Sequence, residues 1–342
     1  MTRLIEQPHG ARMPRENHPV DERGFFRTIV GDGTPLLLAV AGSLVFSGGF
    51  AIFLAATGEF LPHDIHYLGM SADDLCRIAR CRVVDFMLHD RAAFGGALVA
   101  LGILYTWLIA FPLRAGRPWA WTTLLVTGGV GFATFLAYIG YGYLDTWHGI
   151  GTLLLLPAFG LGMARARRLL DGKPSLGGLV LSEHPLRLTS PAGIGRVVLL
   201  LGAAGTVAGG ATILKVGMFE VFVPEDLAFM GITSEQLQAA NTRLVPLLAH
   251  DRAGFGGAVL TLGLTTTLAL WHAPLRRDLW EAVAAAGIVS LSAAVGTHFF
   301  VGYTDVWHLA PPFAAIASLV VGLGLAVPRR NPAAPVTPRR PP

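Results

Sequence analysis

The sequence predicts an all-α polytopic membrane protein, with eight transmembrane helices arranged as two parallel four-helix repeats. Three observations carry this. The 342 residues are 53% hydrophobic and only 14% charged, where a soluble domain carries about 25% charged residues, and the mean hydropathy is +0.55. The apolar residues fall into eight charge-free runs, and motifs of the first half recur in the second. Disorder is excluded over most of the length by the scarcity of charge. Collagen is excluded because the 42 glycines follow no three-residue period.

The runs are 33–58, 92–113, 118–144, 146–164, 197–214, 253–275, 282–304 and 306–328. Each approaches or exceeds the roughly 18–20 residues that cross about 30 Å of hydrocarbon as a helix. None shows the period-two alternation of barrel strands. No apolar stretch precedes residue 33, so no cleavable signal peptide is expected and the first span acts as the insertion signal.

Arginine sets the expected orientation. Arg3, Arg12, Arg15, Arg23 and Arg27 precede the first span, Arg114 and Arg117 follow the second, and Arg165, Arg167 and Arg168 follow the fourth. Arg276 and Arg277 follow the sixth, and Arg329 and Arg330 follow the eighth. All lie on one side of an eight-span chain, so the positive-inside rule places both termini in the cytoplasm, with the protein in a plasma (inner) membrane. Basic residues parcelled among short loops are a topology signal, so the net charge of +4 implies no nucleic-acid partner. The loops at 59–90 and 217–251 are then extracytoplasmic.

The repeat is explicit. HDRAAFGG at 89–96 recurs as HDRAGFGG at 250–257, and GYLDTWH at 142–148 recurs as GYTDVWH at 302–308. LPHDIHYLGMSADDL at 61–75 resembles VPEDLAFMGITSEQL at 223–237. Four spans per half is an even number, so both halves insert the same way round, which predicts a parallel pseudo-two-fold. The expected organisation is a cytoplasmic arm (1–33), a first repeat (34–164), a cytoplasmic linker (165–195), a second repeat (196–328) and a disordered tail (329–342).

The repeated residues are also the chemical ones. His89, Asp90 and Arg91 open the second run, and His250, Asp251 and Arg252 open the sixth; Asp145 and His148, and Asp305 and His308, open the fourth and eighth. Imidazole with carboxylate is the ligand set of zinc or non-haem iron, and copper favours imidazole. The expected metal ligands are therefore His89, His148, His250 and His308, with Asp90, Asp145, Asp251 and Asp305 as further ligands or orienters. Arg91 and Arg252 are expected to hold an anionic part of a cofactor or substrate. The competing structural reading makes the four aspartates helix N-caps and leaves the histidines unexplained. His298 lies seven residues before Asp305, and Tyr138 seven before Asp145; at that depth either side chain suits a cofactor such as haem. His63 and His66 add an i, i+3 pair in the first outer loop. Cys76 and Cys81 are the two cysteines, and on an oxidising face they are expected to form a disulfide.

The leading functional expectation is a metal- or haem-dependent membrane enzyme with an extracytoplasmic site. Its substrate would be amphiphilic or lipid-soluble, and membrane lipid would surround it. The alternatives are a transporter of a metal ion or small anion, and a non-catalytic membrane scaffold.

Overall fold

A computed structural model describes residues 30–136, 143, 146–182 and 184–328. Among these residues the fold is wholly helical. Eight helices are long and apolar enough to span a membrane: α1 (Thr34–Thr57), α4 (Arg82–Leu108), α5 (Pro118–Leu136), α6 (Thr146–Ala166), α7 (Pro191–Phe219), α10 (Leu244–His272), α11 (Arg277–Val301) and α12 (Val306–Leu325). Four short helices connect them: α2 (Pro62–Leu68) and α3 (Ala72–Cys76) after α1, and α8 (Pro224–Met230) and α9 (Ser234–Ala240) after α7.

Local chemistry sets the boundaries. Proline in the first turn starts α1, α2, α7 and α8, where its missing N–H costs nothing. Gly58 and Gly302 end α1 and α11 in the left-handed conformation at φ 72 and 75, which glycine adopts freely. Beyond Leu108, α4 loosens into a π turn over Ile109–Leu113 around Pro112, which cannot donate to the helical ladder. Cys76 and Cys81 are disulfide-bonded, tying the end of α3 to the residue before α4. The bond spans a turn in which Ala79, Arg80 and Cys81 all have positive φ.

The helices carrying the repeated HDR triplets form the centre. Over their most apolar stretches α4 and α10 are 67% and 61% buried, while the other spans reach 17–39%. They pack on each other; α1 and α11 also pack on α4, and α7 and α5 on α10. Each central helix therefore meets one neighbour from its own half of the sequence and one from the other. Tandem glycines make both contacts possible. A Cβ at Gly95 would lie 2.6 Å from the Gly48 carbonyl of α1, and one at Gly96 2.5 Å from the Ala293 Cβ of α11. In α10, Gly256 abuts the backbone of Leu214 in α7, and Gly257 abuts Thr134 of α5. Such small residues permit close helix approach in lipid.

Two cores result. One, around Phe86, Met87, Leu75, Leu237 and Leu244, seats the short helices on the first turns of α4 and α10. The other, around Leu104, Leu108, Leu124 and Leu270, fills the bundle at the opposite end. There Arg196 closes α10 by donating to the carbonyls of Leu270 and Trp271, at 2.6 Å each. The HDR triplets lie between the cores.

Two expectations about these helices need correction. The second and sixth spans do not begin at the triplets: α4 starts at Arg82 and α10 at Leu244, so each triplet sits in the second and third turns. Asp90 and Asp251 consequently cap no helix end. The charged triplets do not interrupt the helices because their charges are neutralised by buried partners.

Leucine at Gly96 has no room beside Ala293, whereas a Cβ at Gly129 meets nothing within 4 Å. Gly96→Leu should lower stability by about 1–3 kcal/mol or more through overpacking. Gly129→Ala should leave the melting temperature in detergent unchanged or slightly raised.

Candidate metal centre

Arg91 of α4 binds Asp64 of α2 at 2.8 Å and Asp251 of α10 at 3.1 Å. Arg252 of α10 binds Asp226 of α8 through two nitrogens and lies 3.4 Å from Asp90 of α4. Each guanidinium thus holds one carboxylate from its own half and one from the other. Asp64, Asp90 and Asp226 are 0–2% exposed. Tyr143 donates to Asp64 and Tyr303 to Asp226. Each arginine also lies over a phenylalanine, Arg91 over Phe60 and Arg252 over Phe86. Four carboxyl groups face two guanidiniums in this set, in an interior where uncompensated charge is costly.

The histidines divide into two clusters. His89 of α4 meets His298 of α11 and His308 of α12, and one nitrogen of each ring lies within 4.8 Å of the others. Ring centroids are 4.2 Å apart for His89–His298, 5.1 Å for His298–His308 and 5.8 Å for His89–His308. His250 of α10 meets His148 of α6, with Nδ1 of His148 at 3.3 Å from Nε2 of His250.

Hydrogen bonding determines the tautomers of the first cluster. Nδ1 of His89 is 3.0 Å from the Asp90 carboxylate, and Nδ1 of His298 is 2.6 Å from the Ala294 carbonyl. Neither oxygen can donate, so both nitrogens carry the proton. Tyr303 spends its single proton on Asp226, at 2.9 Å, so its oxygen accepts from Nδ1 of His308 at 3.1 Å. Burial, then the Asp226 carboxylate, holds the Tyr303 phenol above the usual tyrosine value, which keeps that donor in place. All three rings therefore carry a proton on Nδ1, and in the neutral form each leaves a lone pair on Nε2. Yet Nε2 of His89 and Nε2 of His298 are only 3.0 Å apart. Two lone pairs at that distance repel unless a cation lies between them. Two nitrogens bound to one tetrahedral zinc at about 2.0–2.1 Å would stand roughly 3.3 Å apart, close to this separation.

The second cluster differs. Nδ1 of His250 donates to Asp251 at 3.2 Å, and its Nε2 accepts from Nδ1 of His148. Among the described residues this cluster joins two histidines and not three. Tyr138, which corresponds in the repeat to His298, and Asp145 lie outside the described residues.

Several expected site residues take other places. The four repeated histidines do not form one ring. His298, expected as a cofactor contact, stands among the metal-capable residues instead. Asp305 accepts from the His308 amide at 2.8 Å and caps α12, so it orients His308 from the backbone and fills the helix end that an anion would have used. Asp90 and Asp251 pair with arginine and with the adjacent histidine. Arg91 and Arg252 already hold two carboxylates each, which removes the reason to expect a substrate anion on them. His66 is exposed, and His63 lies 3.5 Å from Asp64; the pair does not join the three-histidine group. Tyr143 and Tyr303 were missed, although both belong to the repeated G-Y-x-D-x-W-H. Asp226 was passed over for its neighbours, although it aligns with Asp64.

Comparisons with protein-family models, curated proteins and solved structures find no match to this chain. Its geometry is the ground for any assignment.

Asp226 is wholly buried and holds Arg252, Tyr303 and the Val223 amide. Asp226→Ala strands a buried guanidinium and should cost about 3–5 kcal/mol. Glu281→Ala, which breaks the exposed pair with Arg277, should not change the denaturation curve measurably.

Proposed function

We propose that this chain is a membrane metalloenzyme holding one divalent transition-metal ion between His89, His298 and His308. The observation that carries the reading is the 3.0 Å contact between two Nε2 atoms whose rings are both protonated on Nδ1. The Asp90 carboxylate behind His89 and the Asp226 carboxylate behind Tyr303 favour a cation at this cluster.

Three neutral imidazoles suit zinc, copper or iron. The oxygen behind each Nδ1 is the second shell that fixes tautomer and ring direction in metal sites. A haem does not fit, because rings with centroids 4.2–5.8 Å apart leave no slot for a macrocycle. Three protein ligands leave a fourth position for water or substrate, which is the mark of a catalytic rather than a structural site. An ion there would act as a Lewis acid or lower the pKa of bound water.

The substrate class follows from the surroundings. Phe299, Phe300, Val306 and Trp307 are highly exposed beside the cluster, so lipid borders it and an amphiphilic or lipid-soluble substrate reaches it laterally. Transport is less well supported, because the apolar core fills the bundle below the site. We place the site at the extracytoplasmic face of a plasma membrane, with both termini and the 165–195 linker cytoplasmic, on the distribution of arginine. The swapped ion pairs support reading 34–164 and 196–328 as parallel repeats.

Metal analysis of protein loaded with zinc and freed of excess tests the reading. The native chain should retain one ion, His298→Ala should lose it, and His148→Ala should keep it. A native protein that retains none contradicts the metal reading and leaves the scaffold. Two ions per chain, or loss in His148→Ala, contradicts the three-histidine site. Metal accumulated inside proteoliposomes would replace the enzyme with a transporter.

A further inference from the structure

Arg252 belongs to the triplet whose histidine sits in the other cluster, yet both of its acidic partners lead to the three-histidine group. Through Asp90 the path runs from Arg252 Nε to the Asp90 carboxylate at 3.4 Å and on to Nδ1 of His89 at 3.0 Å. Through Asp226 it runs from the guanidinium to the carboxylate, to the Tyr303 hydroxyl at 2.9 Å, and on to Nδ1 of His308 at 3.1 Å. The two arms meet at one guanidinium and close a circuit behind two of the three imidazoles. Every link is buried: Arg252 is 5% exposed, Tyr303 2%, Asp90 2% and Asp226 0%. His298 stands outside the circuit, held by the Ala294 carbonyl of its own helix.

We infer that Arg252 is a positioning residue for the metal centre, setting His89 through Asp90 and His308 through Asp226 and Tyr303. This rests on the metal reading above. The chemistry requires a planar, permanently charged fork. The two terminal nitrogens of the guanidinium engage Asp226 while Nε stands in ion-pair contact with Asp90 without a hydrogen bond, and a lysine ammonium, a point charge on a flexible stem, cannot hold both carboxylates at once in this arrangement. If either carboxylate turns away, an imidazole loses the acceptor that keeps its proton on Nδ1. The ring is then free to flip or change tautomer, and Nε2 no longer faces the ion.

Arg91 provides a matched control. It has the same kind of helix environment, two carboxylates and a phenylalanine beneath it, but its partners lead to Tyr143, His250 and the second cluster. A general loss of buried ion pairing affects Arg91→Lys and Arg252→Lys alike. A positioning role affects only the second.

The test measures zinc affinity by competition with a chelator, and the visible absorption spectrum of the cobalt(II)-loaded full chain, for both variants. Arg252→Lys should weaken zinc binding by about 10- to 100-fold, the range seen when outer-shell partners of ligating histidines are changed, and should alter the cobalt spectrum. Arg91→Lys should leave both unchanged, whatever it does to the melting temperature. Tyr303→Phe keeps the arginine ion pairs and removes the hydroxyl that links Asp226 to His308, so it should also weaken zinc binding; it decides the matter if Arg252→Lys fails to fold. Equal losses in the two lysine variants overturn the inference, as does native affinity in Arg252→Lys or in Tyr303→Phe. Failure of the native protein to bind zinc or cobalt is a separate result that removes the metal reading itself.

Discussion

Arg91 and Arg252 each hold a carboxylate from a short loop helix of their own half and one from the central helix of the other half. The packing of α4 on α10 draws on this exchange. Two guanidiniums buried beside an apolar core require acidic partners, and these pairings hold α4 against α10, while Arg91 Nη1 and Arg252 Nε make no hydrogen bond. The pairings also pin α2 and α8 over the helix ends. Once α4 and α10 are locked, His89 meets α11 and α12 while His250 meets α6. Each then meets histidines from the half to which it does not belong.

The glycine pairs and the arginine pairs act on the same contacts from different directions. Gly95 and Gly256 bring in the preceding helix of the same half, and Gly96 and Gly257 bring in α11 and α5 of the other. Without the close approach at Gly96, α11 could not carry His298 to within hydrogen-bonding distance of His89. Dispersion and small residues set how near the helices come, and buried electrostatics sets their register. The two histidine clusters also differ in membership among the described residues, three histidines against two. Three Nδ1–H imidazoles converge on one side, while the His148–His250 contact is an ordinary donor–acceptor pair.

Much of this was legible in the residues themselves. The eight spans follow from charge-free runs, and the importance of the HDR triplets follows from their recurrence. The start of α4 and α10 was not legible, because a charge-based reading ends a span at the first ionised residue. Arg91 and Arg252 lie within helices only because Asp64, Asp226, Asp90 and Asp251 neutralise them across chain separations that local patterns do not encode. The grouping of histidines was hidden for the same reason. The sequence put forward all four repeated histidines together, and the packing of α11 against α4 placed His89 with His298 and His308. Tyr143, Tyr303 and Asp226 were present in the repeat alignment, but aromatic and acidic residues near a helix end read equally well as interface anchors and caps.

The central claim is that the three Nε2 atoms of His89, His298 and His308 share one cation, and zinc K-edge X-ray absorption of the loaded protein addresses it directly. The account predicts a first shell with three imidazole nitrogens at about 2.0–2.1 Å, with the multiple scattering that identifies histidine rings, and one further light atom. A shell of oxygens without imidazole scattering, or one with fewer than three histidines, would contradict it.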